Sequence, residues 1–293
     1  MAPLTLPNGR DVSLERPLIM GILNVTPDSF SDGGHWVDPQ SATRHALDMA
    51  EQGAGIIDVG GESTRPGSQP VADREQLRRV VPVIERLAHA LSQNHGDVPI
   101  SIDTSSCTVA KAALEAGASI LNDVCAGRSD PAMFELAARS AAPIVLMHMQ
   151  GSPRTMQQEP TYVDVVKEVK HFLRQRADEA VDAGVRPDQI IVDPGIGFGK
   201  TRHHNLALLA HLDQIVAGGF SVLLGTSRKR FMGDLCMGTD GTAPKPSELV
   251  EATCATTTLG VAAGVAIFRV HDVKANRHAA DVAWAIRRAR TAT

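Results

Sequence analysis

Aromatic side chains are scarce in this 293-residue chain, which has one Tyr, two Trp and seven Phe. Apolar residues as a whole are common, at 43% of the sequence. A chain of this length and composition can bury a large core. Because aromatics are so few, that core must be built mainly from aliphatic side chains and alanine.

Cysteine is equally scarce, and its spacing excludes two classes of small scaffold. The four cysteines, Cys107, Cys125, Cys236 and Cys254, lie far apart and form no Cys-x-x-Cys pair. This spacing argues against a disulfide framework and against a structural zinc site. We therefore expect reduced thiols in a cytoplasmic protein.

The chain also lacks a surplus of positive charge and a long apolar run. Its net charge is −4 and no basic run is interleaved with aromatics, so we expect neither nucleic-acid nor membrane binding. The longest apolar run near the C-terminus, residues 259–268, is too short to span a bilayer. The first residues lack a basic region followed by an apolar segment, so no signal peptide is predicted.

Short apolar runs alternate with longer helical patterns along the whole chain. The runs IID, SID, IVLM, IIVD and VLLG are nearly all apolar, which is typical of parallel strands covered on both faces. The predicted strands are residues 18–23, 56–59, 99–102, 119–121, 143–147, 189–192, 221–225 and 265–270. The predicted helices are residues 39–52, 73–91, 106–116, 130–139, 162–183, 206–216, 247–263 and 273–290.

Eight strand–helix pairs in one run predict an α/β fold with a single (β/α)8 TIM barrel. A doubly wound open sheet is the alternative, but it calls for a Gly-rich dinucleotide loop that no segment provides. Residues 17–293 are predicted to form one barrel domain, since no linker or repeat is visible. Residues 1–16 are predicted to form a short hairpin or cap at the N-terminal mouth, with a turn at Pro7-Asn8-Gly9.

Every predicted strand ends in a hydrogen-bonding or charged group. In a parallel barrel these strand ends share the C-terminal face, where enzymes of this fold place their active sites. A lone Asp or Thr there is often a helix cap, which we expect of Thr104 and Asp123, but caps do not explain the whole set. The other groups, in chain order, are Asn24, Asp58, Asp103, Asn122, His148, Asp193, Ser227 with Lys229, and Arg269 with His271.

The signs of these charges indicate the kind of ligand. The acids and amides of the first six strands suit a polar heterocycle with several N–H donors. Lys229, Arg269 and His271, with Arg65, suit an anion such as phosphate or carboxylate. The sequence thus predicts two separate rims, one acidic and one cationic.

Two nucleotide-binding motifs and one metal motif fail when their spacing is checked. Gly199-Lys200-Thr201 looks like the end of a P-loop, but Pro194 occupies the position of its first glycine. Gly195-x-Gly197 is no dinucleotide fingerprint, because Lys200 occupies the place of the third glycine. His148 and the pair at 203–204 have no acid at ligand spacing, so no structural transition metal is predicted.

Eight segments in order resemble one family, the dihydropteroate synthases of the folate pathway, over nearly the full chain. A single short match such as SID would mean little, whereas eight ordered matches are specific. The segments are GILNVTPDSFSDGG (21–34), DVGGESTRPG (58–67), SIDT (101–104), LNDV (121–124), MHMQGSPRTMQ (147–157), DPGIGFGK (193–200), SRKRFMG (227–233) and RVHDV (269–273).

This resemblance implies a (β/α)8 barrel and a transferase activity. The family condenses 6-hydroxymethyl-7,8-dihydropterin pyrophosphate with para-aminobenzoate, giving 7,8-dihydropteroate and pyrophosphate. The resemblance also implies Mg²⁺ held near Asn24, competition by sulfonamides, and a homodimer formed through the last helices. Loops 26–34 and 62–70 are expected to close over the pyrophosphate.

The resemblance further implies a role for each matching residue. Asp103, Lys229, Arg269 and His271 are the implied catalytic residues. The implied binding residues are Asp103, Asn122, Asp193 and Lys229 for pterin; Asn24, Asp58, Arg269 and His271 for pyrophosphate; and Thr64, Arg65, Pro66, Phe198, Ser227 and Lys229 for para-aminobenzoate. Departure of pyrophosphate leaves a positive methylene that Asp103 can stabilise, so we expect an SN1-like path without a covalent enzyme intermediate.

Two alternative functions remain open at this point. A pterin-binding methyltransferase barrel that works with a corrinoid protein would share Asp103, Asn122 and Asp193. It would not need the anion site at Arg269 and His271. A pterin-binding paralogue without catalysis would keep all these residues, so only an activity assay would distinguish it from an active synthase.

Overall fold

The computed structural model describes residues 2–26, 38–63, 68–94, 98–152 and 155–291. Two short strands come first, β1 (Leu4–Thr5) and β2 (Asp11–Val12). The eight longer strands are β3 (Leu18–Asn24), β4 (Ile56–Gly60), β5 (Ile100–Asp103), β6 (Ile120–Asp123), β7 (Ile144–Met147), β8 (Ile190–Asp193), β9 (Ser221–Leu224) and β10 (Ile267–Val270).

Strands β3 to β10 follow one another in chain order around a closed barrel, and β10 pairs with β3 to close it. Every one of these neighbouring pairs is parallel. The predicted TIM barrel is therefore confirmed, and the doubly wound open sheet is excluded because an open sheet has two edge strands.

Helices connect the strands around the outside of the barrel. They are α1 (Pro39–Glu51), α2 (Asp73–Asn94), α3 (Cys107–Glu115), α4 (Ala132–Ser140), α5 (Val165–Asp182), α6 (Arg202–Ala210), α7 (Leu212–Val216), α8 (Arg230–Gly233), α9 (Val250–Ala263) and α10 (Val273–Thr291). None of the helices in the described residues is long and apolar enough to cross a membrane.

Local signals explain where the helices begin, and they correct some predicted bounds. The helix predicted from residue 162 begins at Val165, because the Asp164 side chain caps it by accepting from the Lys167 amide. The helix predicted over 206–216 is two helices that break at His211, whose φ of −120° and ψ of 31° are not helical. The helix predicted over 247–263 begins at Val250, because a 3₁₀ turn, Pro246–Glu248, precedes it.

The strand register brings the predicted polar groups to one level. Asn24 pairs with Gly60, Gly60 with Asp103, and Asp103 with Asn122. On the neighbouring strands Met147 pairs with Asp193. Because side chains alternate along a strand, this register turns Asp58 and Asp103 to the same face of their strands, the barrel interior.

The barrel interior has an apolar lower layer that the N-terminal hairpin closes. Strands β1 and β2 pair antiparallel, and Gly9 turns the chain between them with a φ of +81°. Three leucines of this segment join the interior residues of the lower layer in one buried cluster: Leu4, Leu6 and Leu14 with Met20, Ile56, Ile120, Val145, Ile191, Leu223 and Ile267. The predicted hairpin is confirmed; its separation as a domain of residues 1–16 from a barrel of 17–293 stays a prediction.

Candidate active site

An open cavity of about 1630 Å³ lies at the C-terminal face of the barrel. The strand ends and the loops that follow them supply its lining. Among the lining residues are most of those predicted from the sequence: Asn24, Asp103, Asn122, Asp193, Phe198, Ser227, Lys229, Arg269 and His271. The predicted strand-end groups therefore converge on one cavity.

The acidic and cationic groups are not on separate rims, which corrects the expectation from the sequence. Arg269 reaches across the barrel and donates from Nε to Asp58 at 2.6 Å and from Nη2 to Asp103 at 2.7 Å. Asp58 also accepts from the Asn122 amide at 3.0 Å and is fully buried. Asp58 thus holds Asn122 and Arg269 in place, and its predicted contact with pyrophosphate stays a prediction.

Two carboxylate oxygens in this network remain without a partner. Oδ1 of Asp103 and Oδ1 of Asp58 are buried and have no hydrogen-bond partner among the described residues. A buried carboxylate oxygen without a donor costs several kcal/mol. Since Asp103 lines the cavity, its free oxygen calls for a ligand with an N–H or O–H donor.

Asp103 and Asp193 hold their protons more tightly than an exposed aspartate does. Burial raises the pKa of Asp103 to about 7, and the nearby Arg269 guanidinium limits the rise. Burial likewise raises the pKa of Asp193 to about 6, opposed by the hydrogen bond from the Gly195 amide and by Lys229. Burial alone would lower the pKa of Arg269, but Asp58 and Asp103 raise it above its usual value. Perturbed pKa values of this kind are typical of functional sites.

Hydrogen bonds join the loop after β9 to the loop after β10 beside the cavity. The Ser227 hydroxyl accepts from the His271 backbone amide at 3.1 Å and shares a second hydrogen bond with Nδ1 of the His271 ring at 3.0 Å. Arg228 pairs with Asp272 through two hydrogen bonds of 3.1 and 2.7 Å. Arg228 has a φ of +59°, a strained conformation for a side-chain-bearing residue, and it turns the chain between Ser227 and Lys229.

The loop after β8, residues 195–199, is here called the glycine loop. Its three glycines all have positive φ. A Cβ on Gly195 would lie 1.9 Å from the carbonyl oxygen of His148, and one on Gly199 would lie 2.5 Å from that of Gln150. No other residue fits these two positions. The loop presents the Phe198 ring, whose centroid lies 3.9 Å from Nζ of Lys229.

One buried lysine was not predicted as a site residue. Lys200 lines the cavity but is only 3% exposed, and its Nζ lies 2.9 Å from Nδ1 of His148 and 2.9 Å from the carbonyl oxygens of Gly195 and Phe198. Lys200 follows the glycines of the failed P-loop match, which gives it no role as a phosphate-binding lysine. The signal available in the sequence was a lysine directly after a Gly-rich run in an otherwise buried segment.

The sequence also did not predict an apolar wall of the cavity or the side-chain amide of Gln157 beside it. Met147, Met149, Met156, Val124 and Cys125 form a buried cluster with Phe198 on one side of the cavity. The Gln157 amide lines the cavity and donates to the carbonyl of Gly197 at 2.8 Å. The alternating methionines of the segment MHMQ were the signal for this wall.

The two residues expected to cap helices hold turns instead, since Ser106 is the N-cap of α3 and Pro131 is that of α4. Asp123 accepts from the Cys125 and Gly127 amides and from the Ser105 hydroxyl. Thr104 accepts from the Ser106 amide at 3.2 Å. The predicted residues Thr64, Arg65 and Pro66 lie outside the described residues, as do residues 27–34 of the first predicted loop and residues 64–67 of the second.

The residues around Asn24 fit a Mg²⁺ ion that takes its other ligands from water and a diphosphate. Such an ion needs only one or two protein oxygens when substrate phosphates supply more. A Cβ on Gly60 would lie 3.8 Å from Oδ1 of Asn24 and 3.6 Å from Oδ2 of Asp103, so the glycine leaves room between these oxygens. The described residues contain no cluster of three His, Cys, Asp or Glu side chains that could hold a metal alone.

Comparison with known proteins identifies the relatives of this chain. Residues 20–271 match the family described as "Pterin binding enzyme". The chain is 46% identical to the dihydropteroate synthase of Mycobacterium leprae over 276 residues, which are 93% of this chain and 95% of the relative.

Solved structures agree with this match. A Yersinia pestis dihydropteroate synthase in complex with a sulfonamide drug superposes with a TM-score of 0.87 at 41% identity, covering 95% of this chain and 97% of the other. A Xanthomonas albilineans dihydropteroate synthase with 4-aminobenzoic acid gives a TM-score of 0.87 at 43% identity, covering 97% and 98%.

Proposed function

This chain belongs to the pterin-binding enzyme family, among the dihydropteroate synthases, and we propose that the residues lining its C-terminal cavity carry out the reaction of that family. The chain is a transferase of folate biosynthesis that joins 6-hydroxymethyl-7,8-dihydropterin pyrophosphate to para-aminobenzoate, and it is a sulfonamide target. The observation that carries the residue assignments is the unpartnered carboxylate oxygen of Asp103 beside Arg269 in this cavity.

The pterin ring is proposed to bind Asp103, Asn122 and Asp193, with Lys229 alongside. The amino and ring N–H groups of a pterin are donors, and the free oxygen of Asp103 needs one. The Asn122 amide nitrogen is engaged by Asp58, which leaves its oxygen to accept a further hydrogen bond. An analogue without these N–H groups would leave a buried oxygen unpaired and would be rejected.

The pyrophosphate group is proposed to bind Asn24, Arg269 and His271. Arg269 uses Nε and Nη2 on the two acids, so its remaining amino group is the one available to the anion. Asp58 acts on pyrophosphate through Arg269, because its carboxylate is buried against that guanidinium. A Mg²⁺ ion bound with Asn24 would supply further neutralisation of the leaving-group charge.

In the proposed reaction, the bond between the exocyclic methylene and a pyrophosphate oxygen breaks, and its electron pair leaves with pyrophosphate. The arylamine nitrogen forms the new C–N bond with its lone pair and then gives up a proton to water or to the departing pyrophosphate. The ionised carboxylate of Asp103 stabilises the positive methylene. Catalysis is therefore positioning and electrostatic stabilisation, with no covalent bond to the protein.

Para-aminobenzoate is proposed to lie between Phe198, Ser227 and Lys229, which all line the cavity. The Lys229 cation over the Phe198 ring suits the aryl carboxylate, and the Ser227 hydroxyl can add a hydrogen bond. The roles of Thr64, Arg65 and Pro66 are proposed from the sequence match alone. Sulfonamides would compete for this part of the cavity.

A homodimer in the cytoplasm is also proposed. The last two large helices, α9 and α10, carry exposed Leu259, Val282 and Ile286, which a second copy of this chain would cover. All four cysteines are free thiols, as in a reducing compartment. The molar mass in solution by light scattering tests the dimer, and cell fractionation tests the location.

The test of function is pyrophosphate release with Mg²⁺ and the pterin pyrophosphate, with and without para-aminobenzoate. We expect release only with both substrates. Lys229→Ala should lower kcat/KM about 100-fold, because it removes a cation from the reacting groups. Lys111→Ala makes the same change at an outer helix position that is 68% exposed, and it should leave kcat/KM unchanged.

Each other outcome of this assay points to a different function. Pterin binding without any release would mean a non-catalytic paralogue. No pterin binding at all would mean that the strand-end residues serve another ligand. If Lys229→Ala keeps the activity of the wild type, Lys229 has no role in the reaction.

A further inference from the structure

Lys200 is a buried lysine that the proposed reaction does not use. Burial lowers its pKa to about 7, so its charged and neutral forms are both populated at physiological pH, and both can donate hydrogen bonds. Its three short contacts go to Nδ1 of His148 and to the carbonyls of Gly195 and Phe198, each at 2.9 Å. An ammonium group has three protons, so these three acceptors match it. A buried lysine without partners would be costly, whereas this one is fully hydrogen-bonded.

The His148 ring is suited to accept from this lysine. Burial and, to a lesser extent, the nearby Lys200 together lower the pKa of His148 to about 2, so the ring is neutral at physiological pH. The ring packs edge-on against Phe172, with centroids 4.8 Å apart. His148 is therefore a fixed acceptor at the end of β7, and Lys200 ties the glycine loop to it.

The glycine loop needs hydrogen bonds from side chains outside it, because its own sequence does not restrict its backbone to one conformation. Three glycines with positive φ leave the backbone more conformational freedom than any other residue type would. Side chains hold four of its carbonyls: Lys200 binds those of Gly195 and Phe198, the Gln157 amide binds that of Gly197 at 2.8 Å, and the Tyr162 hydroxyl binds that of Gly199 at 2.7 Å. Lys200 is the only one of these three side chains that holds two loop carbonyls.

The outer surface of the same loop faces the proposed aryl-acid site. A Cβ on Gly197 would lie 3.0 Å from Cδ of Lys229, so the Lys229 chain packs directly on the loop backbone. The Phe198 ring lies under the Lys229 ammonium at 3.9 Å. A shift of the loop would move Phe198 and Lys229 together.

We infer that Lys200 is a positioning residue for para-aminobenzoate: the hydrogen bonds of its buried amino group fix the curvature of the glycine loop and thereby position Phe198 and Lys229 for the aryl substrate. The inference rests on the proposed function, which assigns Phe198 and Lys229 to that substrate. Lys200 itself does not touch the reacting atoms.

The test compares Lys200→Met with the wild-type full-length protein in steady-state kinetics. We expect the KM for para-aminobenzoate and the inhibition constant of a sulfonamide to rise together by about tenfold, since small displacements in a site have effects of this size or larger. The KM for the pterin pyrophosphate should rise by less than that for para-aminobenzoate, because only Asp193 and Lys229 of its four proposed residues touch the loop, whereas Asp103 and Asn122 lie on β5 and β6.

A control separates positioning from loss of stability. Ser106→Ala removes the cap of helix α3, whose described residues make no hydrogen bond with the glycine loop, so it should lower Tm and leave both KM values unchanged. Hydrogen exchange of the segment 194–200 gives a second readout, which should be faster in Lys200→Met than in Ser106→Ala. Should Lys200→Met fail to fold, Lys200→Gln keeps two amide protons and should show the same pattern with a smaller rise.

The inference is overturned if the lysine variants lower Tm but leave the KM for para-aminobenzoate unchanged, or raise both KM values equally. Unchanged hydrogen exchange in segment 194–200 would also overturn it. A wild-type protein without synthase activity would instead refute the proposed function, and hydrogen exchange would still report whether Lys200 holds the loop.

Discussion

The N-terminal mouth of the barrel is closed by apolar side chains, whereas the C-terminal mouth is open and lined by charged ones. At the N-terminal mouth Leu4, Leu6 and Leu14 pack on the lower interior layer and are at most 2% exposed. At the C-terminal mouth Asp58, Asp103 and Arg269 form a buried network with carboxylate oxygens left unpaired. The same eight strands thus support two ends with opposite chemistry.

The difference separates stability from function along the barrel axis. Burial of leucine side chains stabilises the fold by about 1.5–3 kcal/mol each. Burial of carboxylates costs free energy that only a bound ligand recovers in full. Substitutions at the N-terminal mouth should therefore change stability alone, and substitutions at the C-terminal mouth should change stability and activity together.

Arg269→Met should have the largest effect, because it leaves Asp58 and Asp103 without their cation. Breaking a buried ion pair by removing one partner costs about 3–5 kcal/mol, and we also expect kcat/KM to fall by at least about 100-fold. Urea unfolding at pH 7 and at pH 5 measures the first effect, which should be smaller at pH 5 because protonation of Asp103 removes an unpaired charge.

The matched control for this variant lies at the other mouth. Arg277→Met removes a guanidinium that donates to the Pro17 carbonyl at 2.6 Å and pairs with Asp281. It should lower stability by less than Arg269→Met and leave kcat/KM unchanged. An equal loss of activity in both variants would contradict the division between the two mouths.

Leu14→Ala should have the next largest effect, on stability alone. Truncation of a leucine in a packed core typically costs about 2–5 kcal/mol. The KM for each substrate and kcat should equal those of the wild type, because the lower layer lies between Leu14 and the cavity. Leu206→Ala, at a position that is 39% exposed, should change stability by less than about 0.5 kcal/mol. A changed KM in Leu14→Ala would show that the cap communicates with the active site.

Asp193→Asn should have the smallest effect on stability, and in the opposite direction. The pKa of Asp193 is raised from 3.8 to about 6 by burial, so the folded state holds this proton more tightly than the unfolded state. The resulting stabilisation is complete below about pH 4 and is lost as the pH rises through about 6. Two pKa units correspond to about 3 kcal/mol, so the variant should be more stable than the wild type at pH 8 by up to that amount.

The activity of Asp193→Asn should fall even though its stability rises, and unfolding curves between pH 4 and pH 8 with parallel assays measure both. Asp188, just before the N-terminal end of the same strand, is the control. The hydrogen bonds from Arg186 lower the pKa of Asp188, so Asp188→Asn should lose stability at pH 8, by less than about 1 kcal/mol for this exposed pair. A gain of stability in both variants would show that burial at the active site is not the cause.

The sequence was sufficient to predict the barrel because its signals are local and repeated. Continuously apolar strands alternate with amphipathic helices, and closure of the barrel follows from eight such pairs. Convergence of Asn24, Asp103, Asn122 and Asp193 followed from the same reasoning, since the ends of parallel strands share one face. The family resemblance then supplied the chemistry that this convergence alone left open.

The features that could not be predicted depend on the conformations of long side chains. Arg269 lies in β10, but its guanidinium reaches acids on β4 and β5, and no spacing in the sequence shows this reach. Lys200 turns inward to a histidine 52 residues away, whereas a lysine in a loop is usually exposed. The break at His211 was missed because the apolar pattern continues through it.

The glycine loop limits how this protein can respond to an inhibitor that occupies the aryl-acid site. Gly195 and Gly199 accept no side chain, and substitution of Lys200 is expected to weaken the natural substrate together with the drug. Ile196 is fully buried, and a side chain on Gly197 would be strained at its φ of +83° and would press on Lys229, which leaves Phe198 as the position of this loop most open to change. Selection for drug resistance should therefore act outside this loop, at positions such as Ser227, and an inhibitor that takes most of its contacts from the glycine loop should meet resistance more slowly.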